Sequence, residues 1–414
     1  MRKQTTPAAE PSRVTWDSLE DHVRCEAQKW IQHLLEEEVT EVLGRLKCQR
    51  RRQVDGEPGY RNGHGKPRRL TLSNGTITVR RPRVRGLNER FASCILPLFK
   101  RQSQEVGELL PELYLHGLSA GDFDLALRGL LGETAPLSAS SIARLKAVWQ
   151  ADYQEWKQRA LADLEVVYLW VDGIYVKAGL EKEKAAILVV VAAVRDGRKV
   201  VVAVESGARE STEAWSAILR DLKRRGMNSP KLVIGDGHLG IWGALANVYA
   251  SAAEQRCWNH RILNVLDKVP KKEQATAKEM LTAIPYAETQ DEAERRKQVF
   301  QGWCVKKGYE AAGQVLDVDW ERMTTFYAFP KEHWKHLRTT NVVESPFATV
   351  RLRTTAAKRY KKVANATAVI WKTLLVVERS FRKLKAPELL GEVARGIVYV
   401  NGVRVNKTRK KVPA

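Results

Sequence analysis

Three acids in the 414-residue chain stand where a phosphoryl-transfer site with two divalent cations would need them: Asp172, Asp236 and Glu344. Mg²⁺ and Mn²⁺ are hard ions that take oxygen ligands. A pair of them acting on one phosphodiester needs carboxylates delivered from separate rigid elements to one place. Asp172 follows the apolar run Val-Tyr-Leu-Trp-Val and precedes Gly173; Asp236 follows Val233-Ile234-Gly235 and precedes Gly237. Each reads as an acid at the end of a buried strand, although a turn aspartate before glycine is the ordinary alternative for either alone. Glu344 lies in Thr339-Thr340-Asn341-Val342-Val343-Glu344-Ser345, at the predicted start of a helix. Arg351, seven residues on, falls on the same helix face about two turns away, and Arg353 follows it. A carboxylate at one level and a guanidinium at the next suit a cation below and a DNA phosphate above.

The elements that must position these acids can be read from periodicity. Leu164–Val171, Ala185–Val194 and Lys199–Glu205 read as three successive strands, with a turn at Asp196-Gly197. Ser211-Thr212-Glu213 opens a helix to about Arg225. Lys231–Gly235 is then a fourth strand, His238–Val248 a helix and Ala252–Trp258 a fifth strand. Three antiparallel strands followed by alternating helix and strand is the ribonuclease-H-like order. If the first and fourth strands are neighbours, Asp172 and Asp236 open onto one crevice. Residues 259–336 read as an α-helical insertion, with Gln274–Ala283 and Asp291–Lys307 its clearest helices. Helix resumes from about Thr340 to Thr355 and from Ala364 to Lys385, ahead of a basic tail.

Upstream the pattern differs. Residues 16–47 form one amphipathic helix, with Leu19, Val23, Trp30, Ile31, Leu34, Leu35, Val39, Val42 and Leu46 near helical spacing, able to pack within its domain or on another chain. Gly56–Gly86 reads as turns and a small basic hairpin. Val106–Leu115, Ala120–Leu131 and a helix opened by Leu137-Ser138 suggest a helix-turn-helix, a signal that any helical hairpin can imitate. The expected fold class is therefore α/β: a ribonuclease-H-like core with an α-helical insertion, preceded by a mainly helical DNA-binding region. The expected divisions are 1–100, 101–160, 161–258, 259–336, 337–385 and 386–414.

Charge names the partner class. Seventy Lys+Arg against 48 Asp+Glu leave a net charge of +22, and residues 59–88 carry eight basic side chains and no acid. Such stripes neutralise phosphates, so Arg61, Arg68 and Arg69 are candidate DNA contacts beside Arg351 and Arg353. Solvated surface charge or an RNA partner is the alternative on composition alone. The cysteines Cys25, Cys48, Cys94, Cys257 and Cys304 are odd in number and form no Cys-x-x-Cys pair, which points to a reducing, cytoplasmic setting. The N-terminal MRKQTTPAAEPSR has no apolar stretch and reads as a disordered lead-in. Ala185–Val194 is about half the length of a membrane-spanning helix, so no membrane is expected.

Several runs together resemble the Mutator-type transposases of bacterial insertion sequences. They are Gly59-Tyr60-Arg61-Asn62-Gly63, Val171-Asp172-Gly173, Gly235-Asp236-Gly237, Gln255-Arg256-Cys257-Trp258-Asn259-His260, Thr339 to Ser345, and Val350-Arg351-Leu352-Arg353-Thr354. The resemblance implies that Asp172, Asp236 and Glu344 are a catalytic triad holding Mg²⁺, with Mn²⁺ as substitute. It also implies terminal inverted repeats and target DNA as partners, action as a homodimer or larger assembly, and a bacterial, nucleoid-associated location. A DNA-binding regulator with a decayed triad and a ribonuclease-H-like nuclease remain alternatives.

Cys257 and His260 match the family's Cys-x-x-His signature, with Asn341 a further signature residue. Two ligands do not make a zinc site. His333 and His336 could complete one, but packing accounts for the pair and zinc is not expected. Trp258, Trp303 and Trp334 could stack on an unpaired base, yet at least two of them are expected in the core, and Tyr175 is read as structural. Pro346, where relatives often carry a helix-compatible residue, is expected within the first helical turn.

Overall fold

The structure, a computed structural model, describes residues 15–50, 59–98, 100–118, 131, 139–179, 184–207, 209–237 and 239–405. The lead-in 1–13, most of the Ala120–Leu131 helix and the last nine residues of the basic tail lie outside them. The chain divides into two compact units, Met1–Leu145 and Lys146–Ala414.

In the first unit, α1 (Leu19–Leu43) ends at Gly44, whose left-handed φ of 61° closes the helix. β1 (Tyr60–His64) pairs antiparallel with β4 (Pro82–Arg85), and β2 (Arg68–Leu72) with β3 (Gly75–Val79). Leu35 of α1, Leu70, Ile77, Val79 and Leu96 form the small core. Only the C-terminal part of the α1 stripe is covered: Leu35, Val39 and Leu43 are buried, while Leu19, Val23 and Trp30 are exposed. α2 (Gln104–Leu115) begins where the Ser103 hydroxyl accepts from the Val106 amide.

α3 (Ala139–Gln158) leads to the sheet. From chain start to end the strands are β5 (Val166–Val176), β6 (Ala185–Val194), β7 (Lys199–Gly207), β8 (Leu232–Gly235) and β9 (Ala253–Arg256). Their order in space is β7-β6-β5-β8-β9. β6 is antiparallel to both β5 and β7, while β8 runs parallel to β5 and β9 parallel to β8. This is a mixed sheet with the first and fourth strands adjacent, as the pattern requires. α4 (Thr212–Arg224), capped by Ser211, and α5 (Leu239–Val248) cross between strands, and Trp215, Leu219, Ile241 and Leu245 pack against them.

β5 departs from expectation. It does not stop at Val171 but runs on to Val176, with Asp172 paired to Val189 and Ile174 to Ile187. Ile174 and Val176 are buried and continue the alternation, so the strand stays paired on its β6 side. Its parallel partner β8 does stop, at Gly235. Asp172 is thus a mid-strand residue at the point where one flank of the sheet ends.

The insertion is helical: α6 (Trp258–Leu266), α7 (Gln274–Ala283), α8 (Gln290–Lys307), and the short α9 (Glu310–Gln314), α10 (Trp320–Thr324) and α11 (Trp334–Leu337). α12 (Asn341–Ala357) carries Glu344, and α13 (Val363–Glu378) packs on β7. α13 ends seven residues before the expected Lys385, because the chain turns away to let the buried Leu384 donate its amide to the Gly197 carbonyl at 2.9 Å. The segment read as a tail contains α14 (Glu388–Ala394) and the hairpin β10 (Tyr399–Val400) and β11 (Val403–Arg404). Its turn is Asn401-Gly402, both with positive φ as a two-residue hairpin turn of this kind requires. Among the described residues no helix is long and apolar enough to cross a membrane.

The insertion is fastened to the sheet by β9 and the first turns of α6. Buried Gln255 accepts from the Phe326 amide (2.8 Å) and donates to the Met323 carbonyl (3.1 Å), which also receives Trp258 Nε1 (2.8 Å). Buried Arg261 donates to the Val315 and Val318 carbonyls. Gln255→Leu leaves the buried Phe326 amide without its partner, while Met323 keeps Trp258, and should cost about 1–3 kcal/mol of stability. Urea denaturation checks this, and an unchanged midpoint would mean that the clamp contributes nothing.

Candidate active site

The 64-residue offset that pairs Tyr168 with Leu232 and Trp170 with Ile234 is the offset between Asp172 and Asp236. The two acids therefore continue one register past the end of the paired region, on adjacent parallel strands. Close approach continues there as well: a Cβ on Gly235 would lie 3.2 Å from Val171 Cγ2. Asp236 and Asp172 are both partly buried. Gly237 turns the chain at once, with φ of +100° and the Arg256 side chain packed where a Cβ would stand. Arg256 is held in turn by Asp319 of the insertion at 2.6 Å.

Glu344 arrives from α12. Thr340 ties the start of that helix to Cys257: its amide and hydroxyl lie 3.3 and 3.2 Å from Cys257 Sγ, and the same hydroxyl donates to Glu344 Oε1. One hydroxyl thus lies within reach of both the sulfur and the carboxylate. Asn259 donates to Asn341 Oδ1 at 3.0 Å, a second tie between α6 and α12. Pro346 is the sixth residue of α12 and so lies in its second turn, not the first as expected. Lacking an amide hydrogen, it makes no bond to Val342, and the helix accommodates it close to its open end.

His260 stands among the acids. Its Nδ1 is 3.8 Å from Glu344 Oε1 and buried with no hydrogen-bond partner. The Cys257 sulfur beside it, helped by the Asp236 and Glu344 carboxylates and opposed by burial, pushes the imidazole up to about 9. Burial pushes Asp172 the other way for an acid, up to about 7, with Glu344 and Glu210 adding repulsion and the Gly173 amide opposing it. The structure thus brings Asp172, Asp236 and Glu344 into one electrostatic neighbourhood around His260.

Sequence reading missed Glu210, the residue before the α4 cap. A Cβ on Gly173 would lie 2.5 Å from Glu210 Oε1, and one on Gly240 would lie 2.3 Å from the Glu210 carbonyl. Both glycines make room for this segment. Gly173 therefore does not end a strand; it admits a fourth carboxylate beside Asp172. Tyr175 donates to Glu210 Oε1 at 3.0 Å. The only sequence signal was an acid just ahead of a helix cap.

The remaining candidates divide. Arg351 is exposed, while Arg353 is 2% exposed and turned inward, so the two do not form one phosphate-facing pair. Arg61 bonds Glu36 and the Thr40 hydroxyl of α1, and Arg68 bonds the Pro97 and Lys100 carbonyls; both brace the first unit. Arg69 is exposed. His333 uses both ring nitrogens, on the Tyr168 hydroxyl and the Ala386 carbonyl, and neither it nor His336 joins Cys257 and His260. Cys257, His260 and Glu344 do come together, with ligand atoms within 4.8 Å of one another. Trp258 and Trp334 are core residues.

Divalent cations fit this arrangement. The carboxylates are oxygen donors, Asp172 is partly buried and raised by its surroundings, and a bound cation would relieve that burial cost. The consequence for stability is specific. With a folded value near 7 against 3.8 for the free side chain, Asp172 is protonated in both states at low pH and costs nothing there. As pH rises through that window the unfolded chain ionises first and stability falls. Without divalent ions, Asp172→Asn should melt higher than the wild type by about 2–4 °C for each kcal/mol relieved above about pH 7, and equally at about pH 4. Thermal melts at the two pH values check this; a variant that melts lower at both would show that the carboxylate is not strained.

The profile of the transposase Mutator family matches residues 3–382. The chain is 44% identical over 297 residues to the transposase for insertion sequence element IS6120 of Mycolicibacterium smegmatis, covering 72% of this chain and 92% of that one. It is 36% identical over 285 residues to the transposase for insertion sequence element IST2 of Acidithiobacillus ferrooxidans, covering 68% and 96%. Among solved structures, the Drosophila P element transposase strand transfer complex aligns with 70% of this chain and 84% of that chain at 11% identity and a TM-score of 0.29, a likeness too slight to bear on fold or function.

Proposed function

Because the chain belongs to the Mutator family of transposases, we propose that it binds the terminal inverted repeats of an insertion sequence and cleaves and transfers DNA strands on a ribonuclease-H-like core. The observation that carries this reading is the convergence of Asp172 on β5, Asp236 just past the end of the neighbouring parallel β8, and Glu344 on α12 around one half-buried imidazole. The strand order, with β8 and β9 added parallel to an antiparallel β5-β6-β7 meander, supports the ribonuclease-H-like assignment.

Asp172, Asp236 and Glu344 are the residues that would hold Mg²⁺ or Mn²⁺, with Glu210 within reach of Asp172. When bound, such a pair of cations supplies Lewis-acid charge at the attacking and leaving oxygens of the phosphodiester. The chain's own residues do the rest. β5 and β8 fix two carboxylates rigidly, and Thr340 and His260 hold Glu344 against them. The imidazolium offsets part of the negative charge gathered there, and Arg351, exposed farther along α12, is placed to meet a DNA phosphate. Water attacks a phosphodiester at the element end and frees a 3′ hydroxyl. That hydroxyl attacks a second strand, one P–O bond forming as another breaks, so no nucleotide energy source is required. Acting on two ends in concert calls for a dimer or larger assembly, working at the nucleoid.

Labelled element-end DNA incubated with the full chain and Mg²⁺ or Mn²⁺ should be nicked and joined. Asp172→Ala, Asp236→Ala and Glu344→Ala should each lower that activity by at least about a thousandfold, some 4 kcal/mol of transition-state stabilisation, with DNA binding retained. Binding without cleavage by the wild type would favour a regulator, and cleavage indifferent to end sequence a nuclease.

A further inference from the structure

A second concave site lies beside α12, on a different side of its first turns from Glu344. A cavity of about 360 Å³ opens where the start of β7, α11, the first turns of α12 and the end of α13 meet. Lys199, Lys335 and Arg382 line it together with His336, and no acidic side chain does. The contacts that surround these groups do not cancel their charge. Lys199 donates to the Arg382 carbonyl at 3.1 Å, a neutral acceptor. Burial and the Lys335 ammonium push Lys199 down. Burial, then Lys199, Lys335, His333 and Lys385, push His336 down to about 4, so its ring stays neutral. Lys199, Lys335 and Arg382 thus share one concavity whose lining offers no anion.

The backbone adds to this surplus. Asn341, Val342 and Ser345 of the cavity wall belong to the N-terminal turns of a 17-residue helix, the positive end of its dipole. Two amines, a guanidinium, a serine hydroxyl and a helix N-terminus around a small concavity are the donors a tetrahedral oxyanion takes. The site is also coupled to the carboxylates by construction: Ser345 follows Glu344, and Trp170 Nε1 on β5 holds the His336 carbonyl at 2.9 Å.

We infer that this cavity binds a phosphate group, and that the phosphate it takes is one from the backbone of the DNA on which the carboxylates act. The second clause rests on the function proposed above; the first does not. A phosphate seated here would fix the DNA strand against the same helix turn that presents Glu344, so the pocket would act as a register pin for the substrate.

The test uses the full chain, a double variant Lys335→Ala with Arg382→Ala, and a control Lys271→Ala with Lys272→Ala, which removes the same charge from exposed lysines elsewhere. Inorganic phosphate should raise the melting temperature of the wild type and the control but not of the double variant. Anisotropy of a labelled duplex of arbitrary sequence should show the double variant binding about tenfold more weakly. The slope of its log affinity against log salt should also be reduced by about 1 relative to the control. Loss of the phosphate response with unchanged DNA binding would sink the DNA clause and leave a free phosphate as the ligand. A double variant indistinguishable from the control in both arms would overturn the inference. Neither arm reads cleavage, so a failure of the carboxylate site cannot imitate either result.

Discussion

Asp172 and Asp236 repel each other, and nothing local in the chain draws them together. What does is the parallel pairing of β5 with β8, and the cost can be weighed. Neighbouring strands lie about 5 Å apart. Two unit charges at that spacing, at the effective dielectric of a protein, oppose each other by about 3 kcal/mol. Against this stand Tyr168, Leu169, Trp170, Val171, Val233 and Ile234, all essentially removed from water. Each aliphatic or aromatic side chain so buried contributes about 1.5–3 kcal/mol. That burial exceeds the repulsion several times over, so the sheet can hold two acids at its lip. Asp172 still bears a cost there: burial, with Glu344 and Glu210 adding repulsion, raises it to about 7.

The third acid depends on a second device. Glu344 is separated from Asp236 by the whole helical insertion, and a flexible insertion would leave its position undefined. Gln255, Trp258 and Arg261 bind the insertion's loops to β9 and α6 through backbone carbonyls and amides. Thr340 and Asn341 then tie the start of α12 to Cys257 and Asn259. The run Gln255 to Arg261 therefore serves as a hinge pin with one face toward the insertion and one toward the acids. The Cys-x-x-His spacing has a simple origin here: residue 257 caps α6 and residue 260 lies one turn on, so both face Thr340 and Glu344.

Much of this was legible in the sequence because apolar runs and helix caps are local signals. Ala185–Val194 and Gln274–Ala283 have the limits the periodicity gave, and Ser211 caps the helix it was expected to open. The failures share a cause. β5 was cut short at Asp172-Gly173 because that dipeptide is a turn signal, whereas here glycine makes room for Glu210, a contact between residues far apart in sequence. α13 stops early for a backbone bond to Gly197, and residues 388–404 fold because Leu390, Val393 and Tyr399 find cover, which the basic runs on either side, Arg379 to Lys385 and Arg404 to Lys411, concealed. Arg353 shares its motif with Arg351 but points inward, a distinction that helical phase alone did not settle.

The central claim is that Asp172, Asp236 and Glu344 hold divalent cations at one place. Loading the protein with Fe²⁺ in the place of Mg²⁺ and generating hydroxyl radicals with ascorbate and peroxide cuts the backbone next to wherever the ion sits. The account predicts cuts clustered at residues near 172, 236 and 344 in the same preparation, all suppressed together by excess Mg²⁺. Cutting confined to one of the three segments, or insensitive to Mg²⁺, would contradict it.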